Sequence, residues 1–137
     1  MIGLASSAGV TKKLLWTNPS PATNFDSQII TISENYSNYD YIAIIYKKLT
    51  TSTNTHVSID DTSVLSEYTN NGYSTYTWGS YNDGGMYQYS RQIYHEANEA
   101  MTKLHISNSY VLNYNMYNNS NNIPIALYGL KGRIFDI

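Results

Sequence analysis

The run Tyr39 to Lys48, Tyr-Asp-Tyr-Ile-Ala-Ile-Ile-Tyr-Lys-Lys, limits the fold more than any other stretch of the chain. It is the densest apolar segment, rich in β-branched and aromatic residues, with polar turn formers on both sides. A short run of that composition reads as a buried strand rather than a helix. Alternation puts Tyr41, Ala43 and Ile45 on one face and Ile42, Ile44 and Tyr46 on the other. Neither face is polar, so a sheet wetted on one side does not suit it. The strand is expected to be central. A second sheet should cover one face and a further body, such as a neighbouring subunit, the other.

The rest of the chain repeats this strand grammar. Lys13 to Thr17 reads as the first strand, stopped by Asn18-Pro19-Ser20-Pro21. Ser27 to Ser33 sets Ile30 and Ile32 against Ile29 and Thr31. Thr55 to Asp60 sets His56, Ser58 and Asp60 against Val57 and Ile59, the pattern of a half-buried strand. Asp61 to Ser66 admits a short helical turn. Asn70-Asn71-Gly72 is the strongest turn signal, since Asn-Gly suits a type I′ hairpin. Tyr73 to Trp78 follows as a strand, and Asn82-Asp83-Gly84-Gly85 is the second turn. Tyr87 to Tyr94 sets Tyr87, Tyr89, Arg91 and Ile93 against Gln88, Ser90, Gln92 and Tyr94. Met101 to Ile106 sets Met101, Lys103 and His105 against Thr102, Leu104 and Ile106. Asn113 to Asn122 is a low-complexity Asn, Tyr and Ser tract with an expected exposed, mobile tip. Ile123 to Tyr128 is the last clear strand, and Pro124 near its start suits an edge or first position. Gly129 and Gly132 point to a bulge or tight bend.

About eight strands at sandwich-like spacing, with no long helical pattern between them, predict an all-β fold. The expected form is an antiparallel two-sheet sandwich with a jelly-roll-like path. Residues 1–13, small and flexible at first, are expected to form an N-terminal attachment arm; residues 14–137 make the sandwich domain.

At 137 residues the chain is one domain by size. It has no cysteine, which excludes disulfides and thiolate metal sites. A formal net charge of −2 with 13% charged residues leaves no basic footprint for nucleic acid or anionic lipid. No apolar run approaches a membrane span, and Lys12 and Lys13 follow the mildly apolar start, the reverse of signal-peptide order. The 15 tyrosines, against 2 Phe and 2 Trp, make a surface able to meet partners or sugars through rings. An AT-rich genome favours the same letters.

Catalytic constellations are thin. His95-Glu96-x-x-Glu99 lacks the second His of a zinc-protease helix. His56 and His105 share no fixed short spacing. Asp60 and Asp61 are adjacent, and neighbours on a strand point apart, whereas glycosidic cleavage needs two acids across a cleft. Asp60 with Glu67, or Asp83 with Glu96, can converge only through loops. Gly84-Gly85 lacks the Lys and helix of a phosphate loop. The expectation is no catalysis, no metal and no cofactor. Better candidates are the ring- and amide-bearing tips: Trp78, Tyr81, Asn82, Asp83 and Tyr87 around one turn, and Tyr114, Tyr117 and Asn118 around the Asn tract. Rings stack on sugar faces while amides bind hydroxyls. The alternative for strand rings, notably Trp16, Tyr46 and Trp78, is core packing.

Leu14-Leu15-Trp16-Thr17-Asn18-Pro19-Ser20-Pro21, then Phe25, Gln28-Ile29-Ile30 and Tyr39-Asp40-Tyr41, resembles the opening of a β-sandwich domain common in tail and tail-fibre proteins of phages of Gram-positive hosts. Asn122-Ile123-Pro124-Ile125-Ala126-Leu127-Tyr128-Gly129-Leu130-Lys131-Gly132 resembles its closing strand, and Ser90-Arg91 stands where the family places an arginine-bearing strand. The resemblance implies a virion protein, often trimeric, often at the host-recognition end of a fibre and assembled in the bacterial cytoplasm. Its implied partners are other virion proteins through the N-terminal arm, further copies of the chain, and a host surface glycan. Neither nucleic acid nor membrane insertion is expected. A purely structural capsid-decoration or head-fibre protein and a glycan depolymerase stand as the alternatives.

Overall fold

The computed structural model describes residues 3–4, 9–67, 71–82, 85–96, 98–111, 115–133 and 135–136. Its strands are β1 (Gly3–Leu4), β2 (Thr11–Thr17), β3 (Gln28–Thr31), β4 (Tyr41–Leu49), β5 (Thr55–Asp61), β6 (Asn71–Asn82), β7 (Gly85–Glu96), β8 (Lys103–Ile106), β9 (Tyr110–Val111), β10 (Asn121–Lys131) and β11 (Phe135–Asp136). One short helix, α1 (Thr62–Glu67), follows β5. The fold is an all-β antiparallel sandwich. One sheet has the order β2-β10-β4-β5; the other has β3-β8-β7-β6, with β9 added against β7. β1 and β11 pair as a separate ribbon. The outer pairs, β2 with β10 and β3 with β8, are wound as in a jelly roll, while β4–β5 and β6–β7 close as plain hairpins.

β4 is central in its sheet, as its two apolar faces require. Ile42, Ile44 and Tyr46 face the second sheet and are fully buried against Ile30, Ile93, Leu104 and Ile106. Each such aliphatic side chain contributes about 1.5–3 kcal/mol by leaving water. A bulge leaves Leu15 unpaired between Leu14 and Trp16, so both Leu15 and Trp16 reach the core. Trp16 meets Phe25 edge-on at 6.1 Å.

Arg91 crosses this core. It is completely buried. Its Nε donates to Asn122 O at 2.7 Å, one terminal nitrogen to Ser107 O at 2.7 Å and the other to Asn121 O at 3.1 Å. The guanidinium lies over the Phe25 ring at 5.3 Å. β7 of one sheet is thereby tied to β10 of the other.

Several expectations need correction. Asn71 and Gly72 do not turn; they continue β6, paired with Glu96 and His95. Cross-strand pairing outweighs the local turn preference there. Pro124, by contrast, stands as expected on an edge-like stretch of β10: it pairs with Tyr46 of β4, and pairing with β2 begins only at Ala126. Its missing N–H therefore costs little, and the β4 register shifts between Pro124 and Ala126. Asn18 closes that gap, its Nδ2 donating to Pro124 O at 2.9 Å. On β5 the apolar set is the outward one: Val57 and Ile59 are 53% and 51% exposed. Residues 11–13, assigned to the arm, belong to β2. Lys13 is anchored there by Glu34 at 2.7 Å.

Candidate functional site

The outer face of the second sheet carries the side chains best suited to hold a polar ligand. Inward Tyr89, Arg91, Ile93 and His95 alternate along β7 with outward Gln88, Ser90, Gln92, Tyr94 and Glu96. β9 lies beside Tyr89 and Ser90. It brings Tyr110, 46% exposed, onto the same face, and a bridge from Tyr110 to Tyr117 folds the following loop back over it. The Tyr110 and Tyr117 rings meet edge-on at 6.1 Å, and Met116 beside them is also exposed. Tyr94 stands further along β7 with its phenol pushed up, first by burial and then by the carboxylates of Glu96 and Glu99 and by Tyr110. Gln88 and Gln92 add exposed amides. Rings at this spacing can stack on the apolar face of a sugar while the amides take its hydroxyls.

Within the Asn tract, residues 113 and 114 lie outside the described residues, Asn115, Met116 and Tyr117 are exposed as expected of its tip, and the part that follows is buried or half-buried. Asn119 is buried, and its side chain accepts from Ser109 N at 2.8 Å and donates to Asp26 and Asn108 at 2.9 Å. Its backbone oxygen accepts from Phe25 N at 3.0 Å. Asn121 and Asn122 are buried too, the latter donating from Nδ2 to Tyr89 O at 3.0 Å. These short side chains bond groups far off in the chain, which polar composition alone does not distinguish from a solvated tract.

The predicted candidates divide accordingly. Tyr117 is 56% exposed and belongs to the ring pair. Asn118 uses its carbonyl oxygen on Ser120, accepting from Oγ at 2.6 Å and from N at 3.1 Å, so it shapes the turn. Tyr87 is half-buried on β7. Trp78, Tyr81 and Asn82 lie on β6, paired with Tyr89, Met86 and Gly85. The β6–β7 hairpin end and the Tyr110–Tyr117 loop therefore share one end of the second sheet. Asp83 and Tyr114 lie outside the described residues. Tyr110 stands in the sequence with Tyr114 and Tyr117 among the rings that surround the Asn tract, and the β9 pairing presents it. Tyr94 is not among the predicted ligand residues, although alternation along β7 sets it opposite Arg91 and Ile93.

Of the acids the sequence allows to converge, Asp83 and the side chain of Glu67 lie outside the described residues. Asp60 accepts from Ser58 Oγ at 3.1 Å, and Asp61 accepts from Ser63 N at 2.9 Å and faces Arg133 at 3.5 Å. Among the described residues, Glu96 and Glu99 are the acids that converge, on a turn and beside His105. The chain matches no model of a known protein family, and no curated protein matches it.

Proposed function

We propose that this chain is a phage virion domain of tail-fibre, receptor-binding type that holds a host surface glycan and breaks no bond in it. The contrast between the sandwich's two outer faces carries this reading. The second sheet offers Tyr94, Tyr110, Tyr117, Gln88 and Gln92, a set suited to sugar rings and hydroxyls. The first sheet offers aliphatic surface: exposed Leu14, Val57 and Ile59 around Ala43, Ile45 and Ala126 in register. Such a patch marks a protein contact. A second copy of the chain is its occupant in this account, within a homotrimer. Opposite charges at its border, Asp61 and Arg133, suit contact with a like surface.

The resemblance of the first and last strands to phage tail domains supports placement in the virion, with the segment before β2 leading to other virion proteins. The weak charge, −2, supports partners other than nucleic acid or a membrane surface. The aliphatic face by itself equally favours a purely structural decoration or head-fibre protein, the second reading.

Two measurements separate them. The receptor reading expects the full chain, displayed multivalently, to bind host wall polysaccharide on a glycan array. It also expects a trimer by light scattering at micromolar concentration. A trimer silent on every host glycan leaves the structural reading; release of reducing ends from the polysaccharide overturns both in favour of a depolymerase.

A further inference from the structure

His105 of β8 lies opposite Tyr94 of β7 in register, on the outer face. The pairing holds the imidazole: its ring stacks on Tyr94 with centroids 4.6 Å apart and planes 18° apart. Beyond Glu96 the chain turns back. Glu99 N–H donates to Glu96 O at 3.3 Å, and Asn98 takes a left-handed φ of 71°, which Asn tolerates better than most residues. The turn brings both carboxylates to the side of His105. Glu99 Oε1 lies 2.5 Å from His105 Nε2, and the donor atoms of Glu96, Glu99 and His105 all lie within 4.8 Å of one another.

The Glu99–His105 contact accounts for two of the three groups and leaves Glu96 over. Carboxylates this close repel unless a cation joins them. Lys103, on the same face of β8, turns its ammonium away to Thr31 Oγ1 at 2.7 Å. Among the described residues, no Lys or Arg pairs with Glu96 or Glu99.

We propose that Glu96, Glu99 and His105 form a binding site for a divalent transition-metal ion, with zinc the best match. Imidazole joined with carboxylate selects zinc and its neighbours over calcium or magnesium, which prefer oxygen alone. Two carboxylates balance the charge of the dication. Three protein donors leave a fourth position for water or for a hydroxyl of a ligand. Donors around tetrahedral zinc stand about 3.3 Å apart, given bonds of about 2.0–2.2 Å. Glu96 therefore swings inward and Glu99 draws back slightly from the ring. Both have room, since Glu96 is exposed and Glu99 half-buried.

The site is not the one hinted at by His95-Glu96-x-x-Glu99. His95 is buried on the inner face, with Nδ1 3.1 Å from Lys103 O. The imidazole comes from the next strand instead. The assignment is independent of the glycan reading, because its test uses the metal alone.

The untagged full chain is titrated with zinc by calorimetry and by thermal melting, and with cobalt(II) by visible absorption. One ion per chain is expected, with a melting temperature raised by roughly 5 °C or more at a hundredfold excess over the dissociation constant. Cobalt should show d–d bands. Glu96→Gln, at an exposed position, and His105→Gln should each weaken binding at least about tenfold, and Glu96→Gln should leave the metal-free melting temperature in place. Absence of saturable binding below about millimolar zinc, a range far weaker than built sites show, overturns the proposal. So does zinc affinity undiminished in Glu96→Gln.

Discussion

Arg91 Nε donates to the backbone oxygen of Asn122 at 2.7 Å, joining the two sheets through a charged group with no exposure to water. Burial lowers the guanidinium from its usual range to about 10, with Tyr46 and Asp26 working the other way, so it keeps its charge at neutral pH. Three backbone carbonyls depend on it. Arg91→Met fills the space but orphans those acceptors, and is expected to cost about 3–5 kcal/mol in urea unfolding. Arg91→Lys should recover little, since a single ammonium cannot reproduce the planar fork.

Gly129 sits against the ring of Tyr39. A Cβ at position 129 would stand 2.5 Å from Tyr39 Cγ. The ring is held at its far end by its hydroxyl, which donates to Glu34 Oε2 at 2.8 Å. Gly129→Ala should therefore destabilise by about 1–3 kcal/mol through overpacking. Tyr39→Ala should absorb most of that cost, so the double variant will be non-additive in denaturant titrations.

His56 gives stability a pH dependence. Its ring stacks on Tyr46 at 5.8 Å, and burial lowers its pKa, opposed in part by a hydrogen bond with Asn122. The folded pKa thus lies below the unfolded value of about 6.5. The unfolded state takes the proton first as pH falls, so the stability His56 contributes is present above that value and lost on descending through the folded pKa. Melting temperature should fall between pH 7.5 and 5, and His56→Gln should flatten the curve in that window. An equal fall in the variant would assign the effect elsewhere.

Much of the fold was legible because strand alternation is a local property. β4 showed its two apolar faces, and β7 showed Tyr89, Arg91 and Ile93 on one face against Gln92 and Tyr94 on the other; the structure turns the first set inward. What failed depended on contacts distant in sequence. Asn71-Gly72 has the letters of a turn, but pairing with Glu96 and His95 extends the strand through it. The Asn tract has the composition of a solvated loop, yet Asn119 is fixed by Asp26, far away in the chain. Val57 and Ile59 read as core residues by hydropathy; the register that pairs them with Ile45 and Ala43, on the outer face of β4, turns them outward. The meeting of Glu96, Glu99 and His105 required the β7–β8 register, which no spacing along the sequence encodes.

The ring pair should matter for binding and little for folding. Tyr110 and Tyr117 are both about half exposed, and their rings meet edge-on. Tyr117→Ala should leave the melting temperature within about 2 °C of the parent, since exposed substitutions away from special features cost little.

The central claim is that rings on the outer face of the second sheet bind sugar without cutting it. Its most direct test is equilibrium binding of host wall polysaccharide by the full chain and by Tyr110→Ala and Tyr117→Ala. The account predicts binding by the parent, a loss of about tenfold or more (about 1.4 kcal/mol) in each variant, and a polysaccharide of unchanged length. Equal affinity in all three proteins, or shortened polysaccharide, would contradict it.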